Sequence, residues 1–427
     1  MGERAFDIVV FGASGFTGEY VVSALKDGAA KEARPIKWAV AGRSADKLKG
    51  VLERVGAADI PTVIADVSDE GSMKAMCERT KVLLNCVGPF RYHGEAVVKA
   101  CVQCATHYLD ICGEPEFLER MELKYHQQAL GNGCLIVGSC GFDSVPADIG
   151  SQVAREQFKS PAVPYKVETF LQLTMGEAGG SIHYTTYQCA VEGFGSAADL
   201  SNIRKELAPS KPKVTKLGAK PKLEKGPFSD KRMPGMSGFL FPGADASVIK
   251  RSQESFTAAD PSYVSFHPAC YILLPDGKAK YLMMLFGGMF SFLAKYSLGR
   301  QLLLAAPGIF TYGMFTHSGP TKEQVAQGGF EMTIFASGFS STPTDKDAKS
   351  DLDVTVKLKG PEIGYAFTSM SIAQLGLCLL EERDKMPAGG VLTPAFAFDK
   401  TKAVDRLKAN GLNVTIESGA STATTAR

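Results

Sequence analysis

The amino-acid sequence predicts an α/β protein in which a doubly wound parallel sheet of the Rossmann type is joined to a second α+β domain on a mainly antiparallel sheet. In the first third of the chain, short apolar runs alternate with helix-like stretches, which indicates parallel strands connected by helices. A glycine-rich turn follows the first apolar run, as in dinucleotide-binding sheets. After residue 146 the apolar runs recur without regularly spaced helices, which is typical of an antiparallel sheet.

Six apolar runs define the predicted strands of the first sheet. Their side chains are apolar on both faces, as expected where helices cover a sheet on both sides. The predicted strands are 6–11, 36–41, 62–65, 81–86, 106–110 and 133–138. A helical pattern at 368–383 is expected to pack back onto this sheet, so the dinucleotide-binding domain is predicted to comprise residues 1–145 with 360–427. The small polar residues from Glu417 onward are expected to fray.

The turn after the first strand has the spacing of a dinucleotide-binding loop. Gly12 permits a tight turn, Gly15 removes a side chain where backbone approaches a pyrophosphate, and Gly18 lets the next helix pack closely. The free N–H groups of that helix point at the phosphates. The predicted contacts are Gly12, Ala13, Ser14, Gly15, Phe16, Thr17 and Gly18.

The end of the second strand indicates which dinucleotide is bound. An NAD site usually places Asp or Glu there to hold the ribose 2′-hydroxyl group. Here the chain has Arg43 and Ser44, and no carboxylate occurs before Asp46. An arginine pairs with a 2′-phosphate through charge-assisted hydrogen bonds of about 1.5–3 kcal/mol. The sequence therefore predicts NADP(H) rather than NAD(H), with a solvated surface arginine as the alternative interpretation of Arg43.

Other candidate residues follow the remaining strands, at the sheet edge where ligands of such folds bind. The additional cofactor candidates are Asp66, Val87, Gly88 and Pro89. The residues within reach of a substrate are Tyr92, His93, Asp110 and Asp143, of which His93 and Asp110 are the catalytic candidates. Each of them can equally be a cap or turn residue, and Asp143 resembles a helix start.

Several classes of function lack support in the sequence. No Tyr-x-x-x-Lys pair occurs, so the proton-donating dyad of short-chain dehydrogenases is missing. Cys101, Cys104 and His107 have no second ligand pair at zinc-site spacing, so core or surface thiols and no metal are expected. The net charge of +2 gives no signature of nucleic-acid binding. Ten cysteines without a secretory signal favour a cytoplasmic protein that is not secreted.

The second domain is predicted to span residues 146–359. Its predicted strands are 165–174, 263–274, 328–338 and 351–359. In two-domain reductases such a sheet covers the cofactor and often forms a dimer, so a homodimer is one expected assembly. Residues 204–232 carry ten Lys or Arg against three acidic residues, and predict an exposed, partly disordered basic loop.

The most apolar stretch is 281–315. Neither of its uninterrupted apolar runs reaches the roughly 18–20 residues of a membrane-spanning helix. One interpretation is an interfacial helical hairpin on a membrane or lipid-droplet surface, and the other is ordinary burial in a domain or dimer interface. The basic loop favours the first slightly, because each Lys or Arg beside anionic lipid contributes about 1 kcal/mol.

The chain resembles the saccharopine dehydrogenase-like oxidoreductases along nearly its whole length. The motifs that carry the resemblance are Gly12–Gly18, Ala41–Arg43, Val87–Phe90, Tyr108–Asp110, Gly113-Glu114, Gly141–Pro146, Gly319–Thr321 and Gly360–Glu362. The resemblance implies the fold of saccharopine reductases and of bacterial trans-acting enoyl reductases. It also implies an association with lipid droplets and membranes, as for animal members. It does not carry over saccharopine as the substrate, because the apolar second domain differs from a site for a polar amino-dicarboxylate.

Three hypotheses on function follow. The first is an NADPH-dependent reductase of a small, lipophilic enoyl or carbonyl compound. The second is an amino-acid-type dehydrogenase that acts on an imine, which requires a cluster of Arg and Lys that residues 165–195 lack. The third is a non-catalytic lipid-surface protein that retains a dinucleotide, an alternative left open by the missing Tyr-x-x-x-Lys dyad.

Overall fold

The computed structural model describes residues 4–420. Up to residue 155, strands and helices alternate, and all six predicted strands are confirmed to within two residues at each end. The strands are β1 (Phe6–Phe11), β2 (Trp38–Gly42), β3 (Thr62–Ile64), β4 (Thr80–Asn85), β5 (His107–Asp110) and β6 (Leu135–Val137). The helices are α1 (Phe16–Ala29), α2 (Ala45–Arg54), α3 (Glu70–Glu78), α4 (Phe90–Gln103), α5 (Pro115–Gly131) and α6 (Val145–Arg155).

The middle of the chain contains more helix than the sequence predicted. Its strands are β7 (Val163–Thr174), β8 (Ile182–His183), β9 (Thr215–Lys216), β10 (Phe228–Ser229), β11 (Met236–Leu240), β12 (Val264–Ser265) and β13 (His267–Pro275). Its helices are α7 (Tyr184–Gly195), α8 (Ala197–Leu207), α9 (Asp245–Ala259), α10 (Lys278–Leu293), α11 (Ser297–Ala305) and α12 (Pro307–Phe310). A 3₁₀ turn, Ala208–Ser210, follows α8.

The remainder of the chain contributes to both sheets. Its strands are β14 (Phe315–Thr316), β15 (Gly329–Phe339), β16 (Leu352–Pro361), β17 (Gly390–Leu392) and β18 (Asn413–Ala420). Its helices are α13 (Lys322–Gln327), α14 (Thr368–Glu381), α15 (Pro394–Ala397) and α16 (Ala403–Ala409). A π-helical turn, Ile363–Phe367, leads directly into α14, and a 3₁₀ turn, Arg383–Lys385, follows it.

The first sheet has the order β17-β6-β5-β4-β1-β2-β3, and all its strand pairs are parallel. The chain runs from β1 to β2 on one side, whereas β4 pairs with β1 on the other. This reversal of strand order leaves a crevice at the carboxyl ends of β1 and β4, which is where ligands bind in such sheets. Helix α14 confirms the predicted return of the chain, since Gly376 packs on Leu84 of β4.

The second sheet has the order β10-β11-β13-β7-β15-β16-β18 and is antiparallel except for the pair β13–β7. Strand β18 pairs with β16 along its whole length and covers an edge that would otherwise expose unpaired backbone groups. Assigning all of 360–427 to the first domain is therefore wrong for β18. The expected fraying is also wrong for Glu417–Ala420, while residues 421–427 lie outside the described part.

The basic segment 204–232 is more ordered than predicted. Arg204 of α8 pairs with Glu119 of α5 at 2.7 Å, and Lys211 pairs with Glu122 of α5 and, at 2.9 Å, with Glu254. Acidic residues from distant parts of the chain thus hold the start of this segment. Arg204 and Lys211 already have protein partners, so these two cations do not support lipid contact.

The apolar segment 281–315 forms α10, α11, α12 and β14, and much of it faces outward. Side chains such as Leu298 (77% exposed), Ile309 (72%) and Tyr312 (83%) are among the most exposed apolar groups. We call this region the apolar surface, which consists of Tyr281, Leu282, Met283, Met284, Leu285, Phe292, Tyr296, Leu298, Leu302, Ile309 and Tyr312. Burial of this surface within the chain itself is therefore excluded.

Within residues 4–420, one helical stretch, 363–381, is long and apolar enough to cross a membrane. It comprises the π-helical turn and α14, and 72% of its apolar window is buried inside the fold. Its hydrophobicity is thus accounted for by packing in the core.

Candidate functional site

The glycine-rich turn has backbone geometry that requires glycine at two positions. Gly12 adopts a positive φ of 83°, and a Cβ there would lie 2.8 Å from Cγ2 of Val87. A Cβ on Gly18 would lie 2.1 Å from the carbonyl oxygen of Gly12. The two glycines let α1 start directly against the loops after β1 and β4, while Gly15 is exposed at the helix start.

The first turn of α1 has no side-chain cap, a feature it shares with α4, α5 and α6. Helices α2, α3 and α13 are capped by the side chains of Ser44, Asp69 and Thr321, which accept hydrogen bonds from backbone N–H groups. Helix α1 begins at the glycine-rich turn, with Gly15 at its N-cap. Its free N–H groups and the positive end of its dipole therefore face the crevice, an arrangement that fits a diphosphate.

Arg43 extends from the end of β2 and is exposed. Among residues 4–420 it makes no hydrogen bond or ion pair, so its guanidinium group is available to a 2′-phosphate. The neighbouring Ser44 caps α2 and accepts from the Lys47 backbone N–H group at 3.4 Å. These two residues fit the predicted adenosine end of a dinucleotide.

Asp66 follows β3, and His93 lies in the first turn of α4, after β4. Hydrogen bonds from Ser68 and, more weakly, the charge of Arg43 hold the pKa of Asp66 below its usual range. The catalytic role of His93 stays a prediction.

The loop after β4 is fixed by two side chains. The Val87 backbone N–H group donates to Asn85 Oδ1 at 3.0 Å, and the Phe90 N–H group donates to Glu114 Oε1 at 2.9 Å. The first N–H group of α4 is thus already used, in contrast to those of α1. Val87, Gly88 and Pro89 line the crevice opposite the glycine-rich turn, where Val87 contacts Gly12.

Asp110 is buried, and both of its carboxylate oxygens are engaged. Oδ1 accepts from the backbone N–H groups of Cys112 and Ser139, each at 2.9 Å, and Oδ2 accepts from the Tyr108 hydroxyl at 2.8 Å. Burial raises the pKa of Asp110 to about 6. Its contacts tie together the loops after β5 and β6 and engage both carboxylate oxygens. In the described part of the chain no hydrogen bond or ion pair joins Asp110 to His93, and the catalytic role of Asp110 stays a prediction.

Asp143, after β6, has one carboxylate oxygen without a partner, as do the nearby Asp148 and Asp245. It is half-buried, and its Oδ1 is buried with no hydrogen-bond partner in the described part of the chain. Burial raises the pKa of Asp143 to about 6, and burial with the charge of Asp143 raises that of Asp245 well above its usual range. Helix α6 does start here, but its N-cap is Ser144. Asp143 is therefore not a cap.

A roof over the glycine-rich turn was missed by sequence reasoning. The Phe16 ring stacks on His183 with centroids 5.1 Å apart and meets Tyr365 edge-on at 4.8 Å. A Cβ on Gly319 would lie 2.7 Å from the same ring. The Tyr365 hydroxyl accepts a hydrogen bond from the His183 N–H group at 2.8 Å. These residues thus close over the glycine-rich turn.

Two motifs singled out in the sequence build this roof. In Gly319–Thr321, Thr321 caps α13 and forms a reciprocal capping box with Gln324. In Gly360–Glu362, Glu362 accepts hydrogen bonds from the N–H groups of Gly364 (2.6 Å) and Tyr365 (2.8 Å). These caps hold Gly319 and Tyr365 against Phe16, and the motifs were the signal that could have revealed the roof.

The Cys101, Cys104 and His107 set does not converge on one point. Cys101 is buried with its Sγ atom 3.7 Å from that of Cys77, and His107 Nδ1 accepts from the Leu135 N–H group at 3.0 Å. Within residues 4–420, no group of three His, Cys, Asp or Glu side chains is placed to hold a metal ion.

Comparison with known proteins agrees with this geometry. Residues 8–137 match the family model of the saccharopine dehydrogenase NADP binding domain, which favours NADP over NAD as the cofactor. The "Saccharopine dehydrogenase-like oxidoreductase" of Rattus norvegicus is 38% identical over 97% of this chain and 98% of its own.

Two further relatives are informative. The "Lipid droplet localized protein" of Caenorhabditis elegans is 36% identical, over 97% of this chain and 98% of its own. The "Trans-acting enoyl reductase" of Mycobacterium bovis is 28% identical, over 93% of this chain and 94% of its own. Among solved structures, apo saccharopine dehydrogenase (L-Glu forming) of Saccharomyces cerevisiae has a TM-score of 0.59 at 11% identity, covering 97% of this chain and all of its own. That likeness shows the shared fold.

Proposed function

Since the chain belongs to the family of saccharopine dehydrogenase-like oxidoreductases, we propose that it is an NADPH-dependent reductase of a lipophilic enoyl or carbonyl compound. The observation that carries the proposal is the uncapped start of α1 in the same crevice as the unpaired Arg43. The free N–H groups of α1 suit a diphosphate, and the guanidinium group suits the 2′-phosphate that distinguishes NADPH. Bound NADPH supplies a hydride.

The residues that would hold the cofactor are those predicted from the sequence. The turn Gly12–Gly18 would bind the diphosphate, and Arg43 and Ser44 would bind the adenosine phosphate. Val87–Pro89 would form the opposite wall of the crevice. Asp66 would lie at the adenine end of the bound cofactor. The roof formed by His183, Gly319 and Tyr365 would cover the Phe16 side of the bound cofactor.

Asp143 is our candidate for the proton donor. A reduction of a double bond or a carbonyl group by a hydride needs one proton, which a carboxylic acid can supply if it stays protonated near neutral pH. Asp143 has a free oxygen, and its pKa is raised to about 6. Asp110, with both oxygens engaged, is proposed as a positioning residue for the loops on either side.

The chain's charges favour a lipophilic substrate over an amino-dicarboxylate. Residues 165–195 contain a single cation, Lys166, and it already pairs with Glu168 at 3.0 Å. The dicarboxylate of an imine substrate would need several free cations. The enoyl reductase activity named for the Mycobacterium bovis relative supports the same choice.

The apolar surface is proposed to bind a lipid surface that contains anionic headgroups. Residues 278–315 include Lys278, Lys280 and Lys295 and no Asp or Glu, whereas Arg300 of the same segment pairs with Glu192. Cations beside exposed apolar side chains suit a monolayer or bilayer with anionic lipid. The name of the Caenorhabditis elegans relative, a lipid droplet localized protein, supports this location.

One experiment tests the function directly. The purified chain is titrated with NADPH and NADH, and cofactor oxidation is then followed with long-chain enoyl, keto and imine compounds. We expect tighter binding of NADPH and turnover with an enoyl or keto compound. Tight binding without turnover on any compound would favour a non-catalytic lipid-surface protein, and turnover on an imine alone would favour the amino-acid-type dehydrogenase.

A further inference from the structure

Helix α7 connects the apolar surface with the dinucleotide crevice. We propose that docking of the apolar surface on a lipid surface tightens NADPH binding through α7, and that NADPH strengthens docking by the same factor. This inference rests on the proposed function, both for the cofactor site and for the lipid contact.

The first end of α7 lies on the glycine-rich turn. Its N-cap, His183, stacks on Phe16 and donates its backbone N–H group to Tyr365. Two residues on, Thr185 lies over the loop after β4, since a Cβ on Gly88 would be 3.8 Å from its Cγ2 atom. Any shift of this end changes the contacts on both walls of the crevice.

The second end of α7 is fixed to the dinucleotide-binding half by one arginine. Arg91, in the first turn of α4, donates from Nη1 to the Glu192 carbonyl and from Nη2 to Ser196 Oγ, each at 2.8 Å. Its Nε donates to Glu114 at 3.0 Å, and the same Glu114 accepts from the Phe90 N–H group. The end of α7 and the loop after β4 therefore share a single buried ion pair.

The outer face of α7 packs on the helices that carry the apolar surface. Tyr187 and Val191 of α7 are buried together with Ala294 and Leu303. Phe290 of α10 meets Tyr187 at 6.0 Å and Phe194 at 5.2 Å between ring centroids. Helices α10 and α11 thus have one side on α7 and the other side outward.

NADPH binding should become tighter when lipid covers the apolar surface. Lipid that covers α10–α12 restricts their motion, and through Phe290 and Leu303 it restricts α7. The roof over the glycine-rich turn is then ordered before NADPH arrives, so less conformational entropy is lost on binding. Couplings of this kind change affinity by about 5- to 150-fold, and we expect the low end, about fivefold.

The test measures both directions of the coupling on the full chain. The Kd for NADPH is measured by fluorescence quenching with and without vesicles of phosphatidylcholine and phosphatidylserine. Vesicle binding is measured by cosedimentation with and without saturating NADPH. We expect vesicles to lower the Kd about fivefold and NADPH to raise vesicle affinity by the same factor, as linkage requires.

Two variants locate the coupling in α7. Phe290→Ala removes the ring between α10 and α7 and should abolish the vesicle effect on Kd while vesicle binding persists. Phe290→Leu, which keeps a large apolar side chain there, should retain most of the vesicle effect on the Kd. Phe194→Ala, at an exposed position on α7, is the second variant should Phe290→Ala not fold. Leu298→Ser is the matched control, because it weakens docking but should leave a full effect at saturating vesicles.

The possible results distinguish a failure of the coupling from a failure of lipid docking or of the cofactor site. Vesicle binding with an unchanged Kd in the wild type would overturn the coupling and leave lipid docking intact. Absence of vesicle binding would overturn docking and coupling together. Absence of NADPH binding would overturn the cofactor site. An effect that survives unchanged in both aromatic variants would show that α7 does not carry it.

Discussion

The glycine-rich turn Gly12–Gly18 and the apolar surface of α10–α12 leave opposite kinds of chemical group without a partner. At the turn, no side chain caps the first backbone N–H groups of α1. On the apolar surface, eleven large apolar side chains are exposed while acidic residues are absent from 278–315. The first region suits an anion, and the second suits lipid with anionic headgroups.

The comparison also shows how differently the two regions tolerate change. The turn is built by close backbone contact, in which Gly18 has no space for a methyl group. The apolar surface is built by exposed side chains on helices, and a methyl group added at Gly288 of α10 meets nothing within 4 Å. Specificity at the turn therefore depends on exact geometry, whereas affinity at the apolar surface depends on summed area.

The largest expected effect contrasts one glycine from each region. Gly18→Ala places a Cβ 2.1 Å from the Gly12 carbonyl oxygen, so α1 must move away from β1. We expect NADPH binding to be lost and unfolding free energy to fall by about 1–3 kcal/mol. Gly288→Ala in α10 has no atom within 4 Å of its Cβ and should stabilise by about 0.5–1 kcal/mol. Urea denaturation measures the unfolding free energy of the two variants, and NADPH titration measures their cofactor affinity. Equal changes in Gly18→Ala and Gly288→Ala would contradict the contrast.

The second prediction concerns the charge at the end of β2. Arg43→Ala should weaken NADPH binding by roughly ten- to a hundredfold, the equivalent of about 1.5–3 kcal/mol for a charge-assisted contact. The affinity for NADH, which lacks the 2′-phosphate, should change by less than about twofold. Lys47→Ala, another exposed cation nearby, is the matched control. Equal losses for NADPH and NADH would remove Arg43 from the phosphate site.

The sequence predicted those parts that are decided by neighbouring residues. The six strands and the turn Gly12–Gly18 follow from local patterns, since positive φ at Gly12 and close packing at Gly18 are local demands. The roof was not predicted: the motifs at Gly319–Thr321 and Gly360–Glu362 mark two of its parts, but only the tertiary fold brings them to Phe16. The three-residue strand β17 is too short to show a period.

The candidate site shows the same division. Arg43 and Asp66 follow strands β2 and β3, so the sequence alone could propose them. The roles of Asp110 and Asp143 depend on which oxygen atoms have partners, and those partners come from other loops. Similarly, the basic segment is ordered by Glu119 and Glu122 of α5, which no pattern in 204–232 could reveal.

The third prediction weakens the apolar surface without touching the crevice. Ile309→Ser removes an exposed apolar side chain, and burial of such a side chain in lipid contributes about 1.5–3 kcal/mol. Vesicle affinity should fall by roughly tenfold, while the Kd for NADPH without vesicles should not change. Lys295→Ala should lower binding to anionic vesicles about fivefold and leave binding to neutral vesicles unaltered. Cosedimentation measures both, and unchanged vesicle binding in Ile309→Ser would count against this face.

The smallest effect concerns pH, because the crevice contains titrating carboxyl groups whereas 278–315 contains none. Burial raises the pKa of Asp143 from 3.8 to about 6, so the folded state holds its proton more tightly than the unfolded chain. The stabilisation from this proton is fully present below pH 3.8 and is lost as the pH rises through about 6. Asp143→Asn cannot titrate.

The unfolding free energy of the wild type relative to Asp143→Asn should thus fall between about pH 4 and pH 7, by about 1 kcal/mol once solvent screening of this half-buried group is allowed for. Urea denaturation at a series of pH values measures the difference, and Ile309→Ser, with no titrating group changed, should run parallel to the wild type. If the Asp143→Asn curve also runs parallel, Asp143 holds no extra proton, and another group must donate it in the proposed reduction.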